Sequence, residues 1–128
     1  MLKSAPRKRL AFIALLAGAS AAVLAACGSD ASAESTTINV TSTDDACTTD
    51  VAQAPAGGLN FVVQNTGTQA TEVYLLSGDG NDILGEVEDI GPGLSRDLRV
   101  DAAAGEYVVR CKPGMAGDGI DVAFTVTG

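Results

Sequence analysis

Residues 104–115 read Ala-Gly-Glu-Tyr-Val-Val-Arg-Cys-Lys-Pro-Gly-Met, a β-rich run that leads into a turn. Tyr107, Val109 and Cys111 lie two residues apart, so on a β-strand their side chains share one face. The strand is followed at once by a turn sequence that begins at Pro113. We therefore expect Tyr107 in a hydrophobic core and Cys111 pointing inward at the end of the strand, next to a loop.

Six further strands are predicted on either side of this one, because short β-rich runs alternate with turns rich in Gly, Pro, Asn and Asp. No helical period is present after residue 35. The predicted runs begin near Thr36 and then cover residues 59–64, 71–76, 83–90, 94–100 and 120–127. About seven short strands with turns roughly every ten residues predict an all-β fold, a Greek-key β-sandwich.

The first 26 residues are typical of an export signal. A basic segment that ends with Arg9 precedes an uncharged apolar run over residues 10–26, which is short for a membrane span of about 20 residues. The run ends in Leu-Ala-Ala-Cys at Cys27, which resembles the lipobox of bacterial lipoproteins. We favour this interpretation over an ordinary secretory signal or an uncleaved anchor.

The predicted organisation therefore has three parts. Residues 1–26 are a lipoprotein signal peptide, residues 27–35 are a lipidated Cys27 with a flexible tether, and residues 36–128 are one β-sandwich domain. We expect the mature protein on the extracytoplasmic face of the bacterial cell membrane, held there by its lipid anchor.

Charge and composition exclude several functions. After removal of the signal, four cations face sixteen carboxylates, which leaves a net charge of −12. A surface this acidic repels phosphate backbones, so we expect no nucleic-acid partner. The chain contains no histidine, which removes imidazole ligands and imidazole general bases. With no nucleophile–base pair in the sequence, we expect a non-enzymatic protein.

Cys47 and Cys111 are the two cysteines that remain once Cys27 is lipidated. In an exported domain they form a disulfide more often than not. The alternative is a pair of thiolate ligands for a soft or borderline metal ion. Both interpretations stay open from the sequence.

The segment around Cys111 resembles the last ligand strand and loop of a cupredoxin, in which G-x-Y-x-x-x-C leads to a loop that often ends in methionine. Met115 stands at that place in this sequence. A blue-copper centre also needs two imidazoles, which this chain does not have. The resemblance therefore implies a cupredoxin-like fold, but it does not imply a type 1 copper site.

The whole domain resembles the N-terminal cupredoxin-like domain of EfeO-type iron-uptake proteins. The similar pieces are Asp-Ala-Cys ending at Cys47, Ala-Thr-Glu ending at Glu72, E-V-E-D-I-G-P-G over residues 86–93, and G-E-Y over residues 105–107 leading to Cys111. In that family the domain precedes a helical imelysin-type domain with an H-x-x-E motif, which is missing here. The resemblance implies a metal-binding or accessory role.

Five residues form the predicted metal site: Cys47 and Cys111 as thiolates, Glu72 and Glu88 as oxygen ligands, and Met115 as a weak thioether. Each also has a structural interpretation. Glu72 could face outward on its strand, Glu88 could belong to an acidic edge that discourages aggregation, and Met115 could pack on the core. An Asp-Gly-Asn-Asp sequence over residues 79–82 is interpreted as a turn.

The sequence thus leads to two hypotheses. The first is a membrane-anchored module that binds copper or iron for uptake or handling, with iron- or copper-handling envelope proteins as partners. The alternative is a metal-free lipoprotein, cross-linked by a disulfide between Cys47 and Cys111, whose acidic surface binds a partner that is basic.

Overall fold

The computed structural model describes residues 34–128, which form nine β-strands and no helix. These residues belong to one compact unit with its own hydrophobic core. The predicted signal peptide, the lipidated Cys27 and most of the tether lie outside the described residues. Within the described part, no helix is long and apolar enough to cross a membrane. The strands are β1 (Thr36–Ser42), β2 (Cys47–Thr49), β3 (Gln53–Pro55), β4 (Gly57–Asn65), β5 (Thr71–Ser77), β6 (Ile83–Ile90), β7 (Ser95–Ala102), β8 (Gly105–Pro113) and β9 (Ile120–Thr127).

The prediction of an all-β sandwich is confirmed, with nine strands instead of seven. The seven predicted runs correspond to β1 and to β4 through β9. The two additional strands, β2 and β3, have three residues each and lie at sheet edges. A run of three residues is too short to show a period of two, so only pairing with β1 and β9 reveals them.

The strands form two sheets that face each other. One sheet has the order β2-β1-β4-β7 and the other has the order β3-β9-β8-β5-β6. The β1–β4 and β3–β9 pairs are parallel, whereas the other pairs are antiparallel. β8, which contains Tyr107, Val109 and Cys111, lies in the five-stranded sheet between β5 and β9.

The core between the sheets is built from the inward residues of every long strand. Phe61 of β4 and Phe124 of β9 meet edge to face across the sandwich, with ring centroids 5.3 Å apart and planes inclined at 69°. Both rings are fully buried, and such a pair adds to the hydrophobic gain of burial. The other large buried side chains are Ile38, Val40, Leu59, Val63, Val73, Leu75, Ile90, Val109 and Val126.

One end of the sandwich contains buried polar side chains. The hydroxyl groups of Ser42 on β1 and Thr71 on β5 share a hydrogen bond of 2.9 Å between the sheets. The Asn65 side-chain amide donates hydrogen bonds to the carbonyls of Gln69 and Ile90, both at 2.7 Å. These bonds satisfy groups that burial would otherwise leave without partners.

We expect Asn65→Ala to lower the free energy of unfolding by about 3 kcal/mol, because two carbonyl groups would lose their donor inside the protein. Urea denaturation of residues 34–128 would measure the change. Gln64→Ala, one residue earlier and exposed, is the control and should change stability by less than about 0.5 kcal/mol. Equal effects of the two substitutions would contradict a structural role for the Asn65 amide.

Candidate functional site

Cys47 and Cys111 form a disulfide that connects the two sheets. Cys47 begins β2 at the edge of the four-stranded sheet, and Cys111 lies near the end of β8 in the five-stranded sheet. Their sulfur atoms are 2.02 Å apart, their Cα atoms are 5.7 Å apart, and both side chains are buried. Closing a loop of 64 residues stabilises the fold by about 4 kcal/mol in the chain-entropy model. The disulfide alternative is therefore the one that the structure supports.

The bridge lies at the same end of the sandwich as the buried polar side chains. Ser42 is the register partner of both Cys47 on β2 and Asn65 on β4. On the opposite sheet, Thr71 pairs with Pro113, two residues beyond Cys111. The end of the domain at which a ligand cysteine was expected is therefore closed by covalent and hydrogen bonds between the sheets.

Glu72 lies on the opposite face of the five-stranded sheet from Cys111. Val73 is the register partner of Cys111 and both are in the core, whereas Glu72 is the partner of Lys112. Because successive side chains on a strand point to opposite faces, Glu72 and Lys112 lie on the outer face. The structure does not bring the Glu72 carboxylate together with the Cys111 sulfur.

Glu72 is paired with a lysine ammonium and not with a metal cation, which was one of the expectations for this residue. The Glu72 side chain is 8% exposed, and its Oε1 atom lies 3.0 Å from the Lys112 Nζ atom. Burial of a carboxylate without such a partner would be costly. Lys112 Nζ also lies 5.7 Å from the ring centroid of Tyr74, within the range of a cation–π contact.

Glu88 is exposed on β6, at the edge of the five-stranded sheet. Its neighbour Val87 pairs with the core residue Val73, so Glu86 and Glu88 both face outward. Glu86 is the register partner of Tyr74. Glu88 therefore belongs to the outer face, with Glu86 and Tyr74, and not to the interior end that holds the disulfide.

Met115 lies in the loop after β8 and is partly exposed. The residue is 39% exposed, and its backbone has a φ of 52°, in the left-handed region. Its N–H donates a hydrogen bond of 2.9 Å to the Lys112 carbonyl, which closes the turn. The alternative of a plug packed on the core is not what the structure shows.

These positions test whether the predicted ligand set fits a copper centre of the cupredoxin kind. The two sulfurs that could act as thiolates are bonded to each other, and the oxygen donors Glu72 and Glu88 lie on the other side of the sheet. Within residues 34–128, no three Cys, Asp or Glu side chains converge as a metal site would require. The oxidised protein therefore does not fit a blue-copper centre, which needs a thiolate and two imidazoles.

The outer face of the five-stranded sheet contains a groove of about 550 Å³. We call it the β5–β8 groove. Its floor is formed by Tyr74 and Leu76 of β5 with Arg110 and Lys112 of β8, and its walls include Ile83, Asn81 and Asp118. Arg110 is held by Asp121 of β9, with Nε–Oδ1 and Nη2–Oδ2 distances of 2.6 and 2.8 Å. This bidentate contact lowers the pKa of Asp121.

The phenol of Tyr74 has a strongly shifted pKa. Desolvation is the largest cause of the shift, followed by the hydrogen bond to Glu72 and by the negative charges of Glu72, Glu86 and Glu88. Together they raise the pKa of Tyr74 to about 12.

Sequence reasoning did not identify the β5–β8 groove, although one signal for it was present. Arg110 and Lys112 flank Cys111, so the period of two that turned Cys111 inward also turned both cations outward. The side chains that these two cations contact on β5 and β9 depend on the order of strands in the sheet. No local pattern in the sequence predicts that order.

Comparisons with known proteins agree on the fold. A model for a cupredoxin-like domain matches residues 12–123. A reduced auracyanin from the photosynthetic bacterium Roseiflexus castenholzii is similar in structure, with a TM-score of 0.56, 22% identity and coverage of 73% of this chain and 98% of that one. An azurin from the methylotroph Methylomonas sp. strain J has a TM-score of 0.51 and 13% identity, with the same coverage. No curated protein matches the sequence significantly. At these identities the likeness to solved structures shows the fold alone.

We expect Tyr74 to titrate late, with its pKa raised to about 12. A pKa raised above the unfolded value of about 10 means that the folded state holds the proton more tightly. The resulting stability is complete below about pH 10 and is lost as the pH rises through about 12.

Alkaline titration followed by phenolate absorbance would measure this, with Tyr74→Phe removing the late transition. Glu86→Gln with Glu88→Gln should move that transition to lower pH, because two of the charges that raise the pKa would be gone. A Tyr74 transition near the unshifted value of about 10 would contradict the electrostatics described for the groove.

Proposed function

The chain belongs to the cupredoxin-like domain family, and from this premise we propose that it is a lipid-anchored extracytoplasmic binding module that works in its disulfide-closed form. In this form it acts by docking a basic partner protein. The role is non-catalytic, since the sequence has no histidine and no nucleophile–base pair.

The disulfide between Cys47 and Cys111 is the observation that carries the proposal. Its sulfurs are the only donors of the thiolate type predicted for the domain, and in the bridge neither is a thiolate. The bridge is buried and joins the two sheets, so it contributes to stability wherever the environment keeps it oxidised.

The same bond supports an extracytoplasmic location. Structural disulfides persist outside the cytosol and are rare within it. This agrees with the basic segment, the apolar run and the Leu-Ala-Ala-Cys sequence at the N-terminus. We propose that Cys27 carries the lipid and that residues up to 35 tether the domain to the membrane.

The charge supports a basic partner. At −12 the mature chain creates a negative field that attracts cationic surfaces and repels anionic ones. Such a field raises the association rate with a partner of opposite charge and contributes to the choice of partner.

A second candidate function is the handling of copper or iron under reducing conditions. One observation favours it: Cys111 lies near the end of β8 and is followed by the loop with Met115, an order of residues that resembles the ligand order of a cupredoxin. A dithiol reductant would supply two electrons and two protons and convert the disulfide into two thiols. Cys47 and Cys111 could then offer sulfur ligands to a soft ion, with iron- or copper-handling envelope proteins as partners.

Metal titration of residues 34–128 before and after reduction would separate the two candidates. We expect no stoichiometric copper or iron binding by the oxidised domain, measured by calorimetry and by the absorbance of thiolate charge-transfer bands. The Cys47→Ser/Cys111→Ser variant is the control for the reduced state. One-equivalent binding that appears only after reduction, and is lost in the variant, would establish the metal function instead.

The lipid anchor has its own test. In bacteria expressing the full chain, we expect the wild type in the detergent phase after phase separation and labelled by a radioactive fatty acid. Cys27→Ala should be unlabelled and should leave the detergent phase, since a lost acyl chain removes about 0.8 kcal/mol of membrane affinity per methylene. Equal labelling of both forms would exclude Cys27 as the lipidated residue.

A further inference from the structure

The β5–β8 groove has a floor on which both cations are already neutralised. Arg110 forms a bidentate contact with Asp121, and Lys112 pairs with Glu72 and stands over the Tyr74 ring. An anionic ligand would have to separate these pairs, which would leave Glu72 buried without its partner. The floor therefore does not favour an anion.

The rim beside this floor is acidic. Glu86, the register partner of Tyr74, and Glu88 are exposed on β6 beside the groove, and Asp118 lines the groove itself. The charges of Glu86 and Glu88 are felt within the groove, because they contribute to the raised pKa of Tyr74. A cationic ligand would meet favourable charge here without breaking an existing contact.

Exposed apolar surface adjoins the acidic rim. Ile83 lines the groove, is 60% exposed and is the register partner of Leu76 on its floor. The next residue, Leu84, is 39% exposed. Two exposed aliphatic side chains beside a groove offer area for an apolar contact.

The strand edge is less suited to binding than the face. β6 ends the five-stranded sheet, but its register with β5 shifts between Thr71 and Val73 and again between Leu75 and Leu76. Asp89 also has a φ of 53°, outside the extended region. Irregularities of this kind hinder the addition of another strand to an edge.

We propose that the β5–β8 groove binds an extended basic segment of a partner protein, with arginine or lysine side chains on Glu86 and Glu88 and an apolar side chain against Ile83 and Leu76. Alternate side chains of an extended peptide are about 7 Å apart, which equals the spacing of Glu86 and Glu88 on one strand. This inference rests on the docking function proposed above and assigns it to one face.

The test uses oxidised residues 34–128 and a capped eight-residue peptide. The peptide carries arginine at two alternate positions and leucine two residues beyond, so that all three side chains share one face. This spacing follows β5, on which the register partners of Glu86 and Ile83, Tyr74 and Leu76, are two residues apart. A matched peptide has glutamate in place of both arginines. We expect backbone amide shifts confined to β5, β6, β8 and the two flanking loops with the first peptide, weakening as salt is raised, and none with the second.

Two groove variants and one control give the test its specificity. Glu86→Gln/Glu88→Gln should weaken binding of the arginine peptide about tenfold, and Ile83→Ser about fivefold. The control variant Glu34→Gln/Asp101→Asn also removes two negative charges, but away from the groove, since Asp101 is on the other sheet. It should change the affinity less than about twofold. All four acidic residues are exposed, so these substitutions preserve the fold.

Three results would overturn the proposal. Equal losses in the groove and control variants would show that binding follows net charge alone, which leaves the docking function standing without this site. Stronger binding of the glutamate peptide than of the arginine peptide would show that the groove prefers an anionic ligand, which contradicts the proposal. Absence of binding by either peptide at low salt would remove the groove as a docking site, while the metal titration above tests the competing metal-binding function independently.

Discussion

The two sheets are joined at one end by the bond between the Cys47 and Cys111 sulfurs, and much of the domain's organisation depends on that constraint. It fastens β2, a three-residue edge strand, to β8 in the middle of the opposite sheet. The hydroxyl pair of Ser42 and Thr71 repeats the connection with a hydrogen bond between the same two sheets. The disulfide therefore holds β2 in position, although a strand of three residues has few hydrogen bonds to its neighbour.

The strand that supplies Cys111 to the bridge also supplies Arg110 and Lys112 to the outer face. The period of two separates these roles, so that the core side of β8 provides stability and the outer side provides charge. Glu72 is on the outer side, where it pairs with Lys112. For this reason a ligand set that combines Glu72 with Cys111 does not form in the oxidised protein, although the two residues lie on neighbouring strands.

The chain belongs to the cupredoxin-like family, but its cysteine and its lack of histidine do not fit a blue-copper site. The family fold brings a cysteine to the end of a strand beside a loop, and this chain keeps that arrangement at Cys111. It lacks histidine and uses the cysteine in a cross-link instead. The closer resemblance to EfeO-type domains stays a prediction, as do the lipid anchor, the partner and any metal. The β5–β8 groove offers a binding surface that does not depend on a metal ion.

The class of fold, the seven longer strands and the inward direction of Tyr107, Val109 and Cys111 could be predicted from the sequence, because these features follow from a local period of two. A type 1 copper centre was also excluded from the sequence, because such a centre needs two imidazole ligands and the chain has no histidine. Only the folded structure shows that Cys47 and Cys111 are bonded, that β2 and β3 exist, and that Glu72 pairs with Lys112. Each of these depends on which distant segments pair and in what register, and a local pattern carries no information about register between strands that are far apart in the chain.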